Sequence, residues 1–541
     1  MQIPKKETLV IDNFRGSMTY FQFGDINSGG SYAQNSAGQN PFIKPGQLTW
    51  NNAPVQIDSA GAVITDMILC GKERVESGVL YVYAVGHTGR VYKIQVNDPT
   101  GYNPDYDTPV LLTTLVSGTP TFKYGAFIDF YGATEKIYIG HDKGVTSITF
   151  AGGSETVVGL LASWVQNVPR QIKQFLGKMY VGNGSNIAEI DSTLTVTSYT
   201  KLSPGFPSNT QVRDLDMTPD GTYLQIVVSR LALPDITSTT QDTTRNSNSE
   251  SYIFSWNGTD TGYTSFKTFP SFSLTANTLF QNYQYTFGYD QFGLAVYAPV
   301  EKVLWVAESE SPLPNAILSI GNMVMFATPL SYDGFMEADF LAWGSTDFEV
   351  GQNPLGYWDL LFINAKAPET DIIRTPFIMP ISNAGIGASS NGYANNQFGT
   401  SKIYFSTLET SSGPTTAYRF YKWNINTNQT IPDGEVIIDA VYQTQVQMFS
   451  KKISISEVRI YGEPWVAGNE FLIDLIGSNG LPITGGSYTF TAGGTLTIGD
   501  DFAWYGPDMA PTYALGVIIT NKGTVNNTIN KIEIDWGQAG K

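Results

Sequence analysis

The chain holds a single cysteine, Cys70, and only two histidines, His87 and His141, in 541 residues. One thiol excludes an internal disulfide and a thiolate metal cage. Two imidazoles leave little from which to build a histidine-dependent triad or a zinc centre. Charged residues make up 15% of the chain, well under the usual quarter, so long helices with solvated charged faces are not expected. Lysine and arginine number 31 against 48 aspartates and glutamates, a net charge of −17. That balance opposes tight nucleic-acid binding, yet suits a surface that DNA passes without sticking. No run of ~18 uncharged apolar residues occurs, and Met1-Gln2-Ile3-Pro4-Lys5-Lys6 has no apolar stretch behind it. Neither a membrane span nor a secretory signal is therefore expected, and a reducing cytoplasm is the expected place of synthesis.

What the chain has in quantity is turn and strand chemistry. Aromatics reach 13%, and 54 glycines and 28 prolines punctuate short apolar runs. This is the composition of a turn-rich all-β protein. The two histidines occupy one slot of a repeated hairpin: Val85-Gly86-His87-Thr88-Gly89 and Ile139-Gly140-His141-Asp142-Lys143-Gly144. A third copy, Val181-Gly182-Asn183-Gly184, carries asparagine there. A slot filled by either residue reads as a turn position, so the histidines mark architecture and not a reaction centre.

Three regions follow from texture. Residues 1–57 are rich in Gly, Ser, Asn and Gln but carry Phe14, Tyr20, Phe21, Phe23, Tyr32 and Phe42, too aromatic for a free tail; they read as an extended N-terminal arm that lies on something. Strand pairs recur every ~40 to 60 residues over 58–432, the period of a β-propeller. About seven blades are expected, within a range of six to eight. The fourth centres on the Pro219-Asp220-Gly221 turn, followed by a polar loop over 231–251 read as projecting from it. The fifth groups 294–297, 302–306 and 316–320, and the sixth 323–327 with 340–344. A second loop-like stretch spans 383–399. Over 433–541, six or more short strands predict an antiparallel β-sandwich of jelly-roll or lectin-like type.

Catalytic patterns are thin. The nearest relation to the sialidase Ser-x-Asp-x-Gly-x-x-Trp box is Ser345-Thr346-Asp347-Phe348-Glu349-Val350-Gly351 with Trp358 beyond, and its glycine comes too late for that turn. A glycosidase needs two acids facing each other across a cleft, which spacing alone does not identify. Asp214, Asp216 and Asp220 offer oxygen ligands for calcium, but the Pro-Asp-Gly turn explains them without metal. Phosphate-binding glycine loops are absent. No catalytic, cofactor-binding or metal-binding residue is therefore assigned, and no enzyme activity or cofactor is expected. Trp465, Trp504 and Tyr505 in the sandwich are either core or platforms for sugar rings.

The arm opening Leu9-Val10-Ile11-Asp12-Asn13-Phe14-Arg15-Gly16, the segment Lys44-Pro45-Gly46-Gln47-Leu48, the propeller and the terminal sandwich together resemble tail-associated structural proteins of tailed bacteriophages, including propeller-bearing nozzle proteins. The resemblance implies a structural virion component in the tail or nozzle, assembled in the host cytoplasm. Its implied partners are other virion proteins and copies of itself in a homo-oligomeric ring, with passive DNA passage. It carries over no catalytic residues. The alternatives are a carbohydrate-binding module that recognises a host-surface glycan, and a glycosidase acting on polysaccharide.

Overall fold

The computed structural model describes residues 6–12, 14, 33–37, 47–50, 54–57, 64, 66–96, 108–230, 235–237, 249–280, 283–290, 293–298, 302–307, 313–320, 323–327, 340–344, 356–361, 372–381, 402–410, 416–424, 440–525 and 528–539. Within them the chain is all-β, with two short 3-10 turns and no α-helix.

Strands Ile68–Glu76, Val79–Gly86, Arg90–Gln95 and Thr108–Thr114 form an antiparallel four-stranded sheet in chain order, the first blade. Blade two (Phe127–Tyr131 to Thr156–Val157), blade three (Ile172–Phe175 to Val196–Ser198), blade four (Gln211–Met217 to Ser265–Phe269) and blade five (Ser273–Phe280 to Lys302–Ala307) repeat it. Blade six runs from Ile317–Ile320 to Gly356–Leu361. Blade seven has three strands, Ile372–Ile381, Lys402–Thr410 and Thr416–Asn424, and receives its fourth, Val55–Gln56, from the N-terminal segment. The leading strand of each blade touches that of the next, and the leading strand of blade seven touches that of blade one. Among the described residues these sheets make a β-propeller of seven blades, the last of which takes a strand from the N-terminal segment.

The grouping differs from the sequence expectation in two places, one being Val55–Gln56, which falls within the expected arm but is a strand of blade seven. Ile317–Ile320 is the innermost strand of blade six, not the last of the fifth unit. Loops within blades and loops between blades share the same turn residues, so strand counting does not separate them.

The blade strands read as apolar runs because both faces are buried. In Lys178–Gly182, Met179 and Val181 pack with Tyr138, Val145 and Trp164 of blade two and the loop after it, whereas Tyr180 between them packs with Val212, Leu224 and Ile226 of blade four. Each such buried aliphatic side chain contributes ~1.5–3 kcal/mol. The glycine of the hairpin motif is set by the same packing. A Cβ on Gly140 would lie 2.4 Å from Arg170 O, one on Gly86 would collide with the Asp66 carboxylate, and one on Gly182 would meet Gln171 and Val212.

The C-terminal lobe is a β-sandwich. One sheet orders Glu7–Ile11, Ile529–Gln538, Gln447–Gly462 and Phe502–Tyr505; the other orders Pro482–Thr491, Glu470–Ile476, Thr512–Asn521, Val441–Thr444 and Ala33–Ala37. The long strand Gln447–Gly462 turns the corner between them, pairing first with Thr512–Asn521 and then with Ile529–Gln538. Leu9, Ile11, Phe14, Leu48 and Trp50 of the arm are buried in this core beside Ile460, Phe471, Val517 and Ile534. Ala33–Ala37 also pairs in parallel at Ala37 with Asp359 of blade six, so one strand joins the two lobes.

Candidate functional site

The repeated Gly-polar hairpins fall at equivalent positions, ending the second strands of blades one, two and three. Their polar residues fasten the blades. His87 Nδ1 accepts from the Met67 amide at 3.1 Å and contacts Asp66, and its ring lies tilted against Tyr418 of blade seven at 4.4 Å. Asp66 in turn accepts from the Thr88 hydroxyl at 2.5 Å. His141 is 1% exposed; its Nε2 meets Thr146 Oγ1 at 2.9 Å and its Nδ1 faces the Lys143 amide at 3.3 Å. Burial, reinforced by nearby Arg170 and opposed by Asp142, pushes this imidazole down to about 4. Asn183 Oδ1 accepts from the Val165 amide at 2.9 Å and Arg170 Nη1 at 2.8 Å, and its Nδ2 donates to Tyr199 O at 2.9 Å.

Around the axis, the innermost strands are tied to one another by polar side chains. Lys72 of blade one pairs with Asp129 of blade two, and Lys173 Nζ of blade three reaches Asp216 Oδ1 of blade four at 2.6 Å. Asp214 Oδ2 of blade four accepts from the Asn277 amide of blade five at 2.7 Å, and Thr278 of blade five meets Ser319 of blade six at 3.1 Å. Burial lifts the Asp214 carboxyl to about 7.

Asn315, in the turn before blade six, donates to Leu69 O of blade one at 2.9 Å and to Ala126 O beside blade two at 2.7 Å. Leu313 and Ala316 of the same turn are buried against residues of those blades. Around the ring blade one is two places from blade six and blade two is three, so this turn reaches past blade seven over the end of the ring where the innermost strands begin. The loop of blade four contributes there too. Ile236, expected on a projecting loop, folds inward, buried with Leu313 and donating its amide to Lys123 O at 3.0 Å.

The acids considered for calcium do not converge. Asp220 Oδ1 accepts from Thr218 Oγ1 at 2.6 Å and the Thr222 amide at 3.0 Å, organising its own turn, while Asp214 and Asp216 serve the inter-blade bonds above. Among the described residues no group of three or more His, Cys, Asp or Glu side chains is placed to hold a metal ion. The sialidase-like stretch 345–351, the Trp358 side chain and the loop 383–399 lie outside the described residues.

In the sandwich the three candidate aromatics part company. Trp465 is core, against Phe471 at 5.5 Å. Tyr505 is buried, stacked on Tyr488 at 4.8 Å, its hydroxyl donating to Gly486 O at 3.1 Å. Trp504 is 60% exposed. It stands at the edge of a sheet face that sequence reading missed: Arg459 Nη2 donates to Asp535 Oδ1 at 2.8 Å, and Lys531 Nζ pairs with Glu533 Oε1 at 2.9 Å. The signal available was the alternation in Lys531-Ile-Glu533-Ile-Asp535 and Glu457-Val-Arg459-Ile-Tyr461, which sends charges to one side.

Fold and sites define a β-propeller protein with an appended β-sandwich. No protein-family model and no curated protein matches the sequence. Solved structures with a similar course include the Dos1 propeller (9% identity, 77% of this chain and 96% of that one, TM-score 0.37). Another is the Cps50 (Swd1) β-propeller domain of Myceliophteria thermophila (8%, 67% and 99%, TM-score 0.37). A subtype N11 neuraminidase-like protein of A/flat-faced bat/Peru/033/2010 also aligns (8%, 71% and 96%, TM-score 0.30). Among the described residues no helix is long and apolar enough to cross a membrane.

Proposed function

We propose that this chain is a non-enzymatic structural component of a tailed-phage virion, in the tail or nozzle, acting through contacts with other virion proteins and with copies of itself in a ring. The observation that carries the reading is the arm. Its successive strands enter the sandwich at Glu7–Ile11, link sandwich to blade six at Ala33–Ala37 and complete blade seven at Val55–Gln56. A segment that adds a strand to both lobes makes them one body suited to bearing load. The net charge of −17 supports a wall that DNA slides past. The turn at Asn315, held over the end of the ring by Leu69 and Ala126, favours a passage between subunits of the ring over one through a propeller.

In this reading the protein assembles in the host cytoplasm and becomes part of the particle. Quantitative mass spectrometry of purified particles from the genome that encodes the chain tests this. A fixed copy number above one per particle is expected, and absence of the chain from particles ends the reading.

A further inference from the structure

We propose that the outer face of the sheet holding Trp504 binds an oligosaccharide, a function separate from assembly. In the four-residue strand Phe502–Tyr505 the outward side chains are Phe502, 38% exposed, and Trp504, 60% exposed, while Ala503 and Tyr505 are buried. Two large aromatics facing solvent from the rigid edge of a sheet are out of keeping with its well-packed inner side. They are the kind of flat apolar surface onto which the C–H face of a sugar ring stacks.

What lies beside the aromatics selects the ligand. Trp504 is opposite Arg459, which is opposite Glu533; Phe502 is opposite Tyr461, which is opposite Lys531. Side chains in such rows stand ~5 Å apart. A ring on Trp504 therefore has its neighbouring hydroxyls over a guanidinium and a carboxylate. Those groups are already held in place. Arg459 pairs with Asp535 at 2.8 Å and Glu533 at 3.3 Å, the Tyr461 hydroxyl donates to Glu533 at 3.1 Å, and the Phe502 ring rests on Tyr461 at 5.2 Å. Donors and acceptors fixed before binding lose little side-chain entropy when a ligand arrives. Asp535, 3% exposed and also accepting from Thr8, anchors Arg459 from beneath, and Glu533 is the carboxylate that a ligand reaches.

A protein partner fits less well. Protein interfaces are depleted of lysine and glutamate, and here Lys531 and Glu533 flank Arg459 in the middle of the face. A polyhydroxylated chain matches both halves of the face, stacking on the aromatics and bonding to the charged rows.

The full chain, applied to a printed array of bacterial surface oligosaccharides with hits titrated by isothermal calorimetry, tests this. At least one oligosaccharide is expected to bind. Trp504→Ala should weaken it at least tenfold with the melting temperature unchanged, Trp504→Phe should retain part of the affinity, and Tyr513→Ala on the other sheet should retain all of it. Absence of binding across the array, or equal binding by Trp504→Ala, overturns the proposal. So does a Trp504→Ala chain that fails to enter particles while the native chain binds no glycan; that result assigns the face to a protein contact and leaves the assembly reading standing.

Discussion

Leu9 lies opposite Ile534 in an antiparallel pair that builds the first described strand of the chain onto its last. Both side chains are buried in the sandwich core. The arm is therefore part of a lobe of its own chain, where the sequence alone suggested only that it lies on something.

Removing that packing is expected to loosen the sandwich. Leu9→Ala and Ile11→Ala each delete a side chain that is 1% exposed, and each should destabilise by ~2–4 kcal/mol. The measurement is the denaturant midpoint followed by tryptophan fluorescence. Deleting residues 1–12 should further expose the edge of Ile529–Gln538 and raise aggregation. Unchanged midpoints would show that the strand adds nothing.

The glycine slot of the hairpin repeat gives a second test. Gly140→Ala places a Cβ against Arg170 O, a backbone atom that does not move aside, and should cost about 1–3 kcal/mol. Gly537→Ala meets nothing within 4 Å and should stay within about 0.5 kcal/mol of the parent. Thermal unfolding of the two variants separates packing from composition.

His141 links stability to pH. Its folded-state value of about 4 lies below the ordinary 6.5, so the unfolded chain binds the proton more readily. The contribution is complete above pH 6.5 and is lost as pH falls toward 4, up to ~3 kcal/mol. His141→Asn, which copies the residue that blade three carries at Asn183, should flatten the profile in that window. An unchanged profile would mean the imidazole titrates freely.

Asp214 acts with the opposite sign. Its carboxyl is raised from the ordinary 3.8 to about 7, first by burial and then by Asp216, against the amides of Asn277 and Leu215. The folded state then holds the proton longer, so stability falls as pH rises from about 4 to 7. Asp214→Asn should remove that decline and gain relative stability at pH 8. Chemical denaturation at pH 4.5 and pH 8 reads the difference.

Cys70 reports on the ring itself. It is buried in the core shared by blades one, two, six and seven, and burial pushes its thiol well above the usual range. An aromatic disulfide reagent should leave it unmodified in the native chain and react fully in denaturant. Rapid native reaction would mean that the core opens.

The propeller was legible because its repeat is local. Gly86-His87, Gly140-His141 and Gly182-Asn183 each carry turn, strand and packing constraint within a few residues. Ring closure was not, since Val55–Gln56 is too short for any periodicity and its partners Lys422 and Tyr421 lie in the last blade. The turn at Asn315 was equally hidden, because its acceptors are backbone carbonyls of blades far off in sequence. In the sandwich, Trp465, Trp504 and Tyr505 form one candidate group in the sequence. Adjacent residues of a strand point to opposite faces, so only Trp504 could be outside once Tyr505 was core. The charged rows beside Trp504 required the register of strands far apart in sequence, which no local pattern supplies.

The central claim is assembly into a ring, and the mass of the purified full chain in solution tests it most directly. Mass photometry at the concentration of an assembly reaction, with electron micrographs of the same sample, is expected to give one dominant species at an integer multiple of the chain mass and a closed ring in projection. A monomer at every concentration, with no ring in the micrographs, would contradict the account.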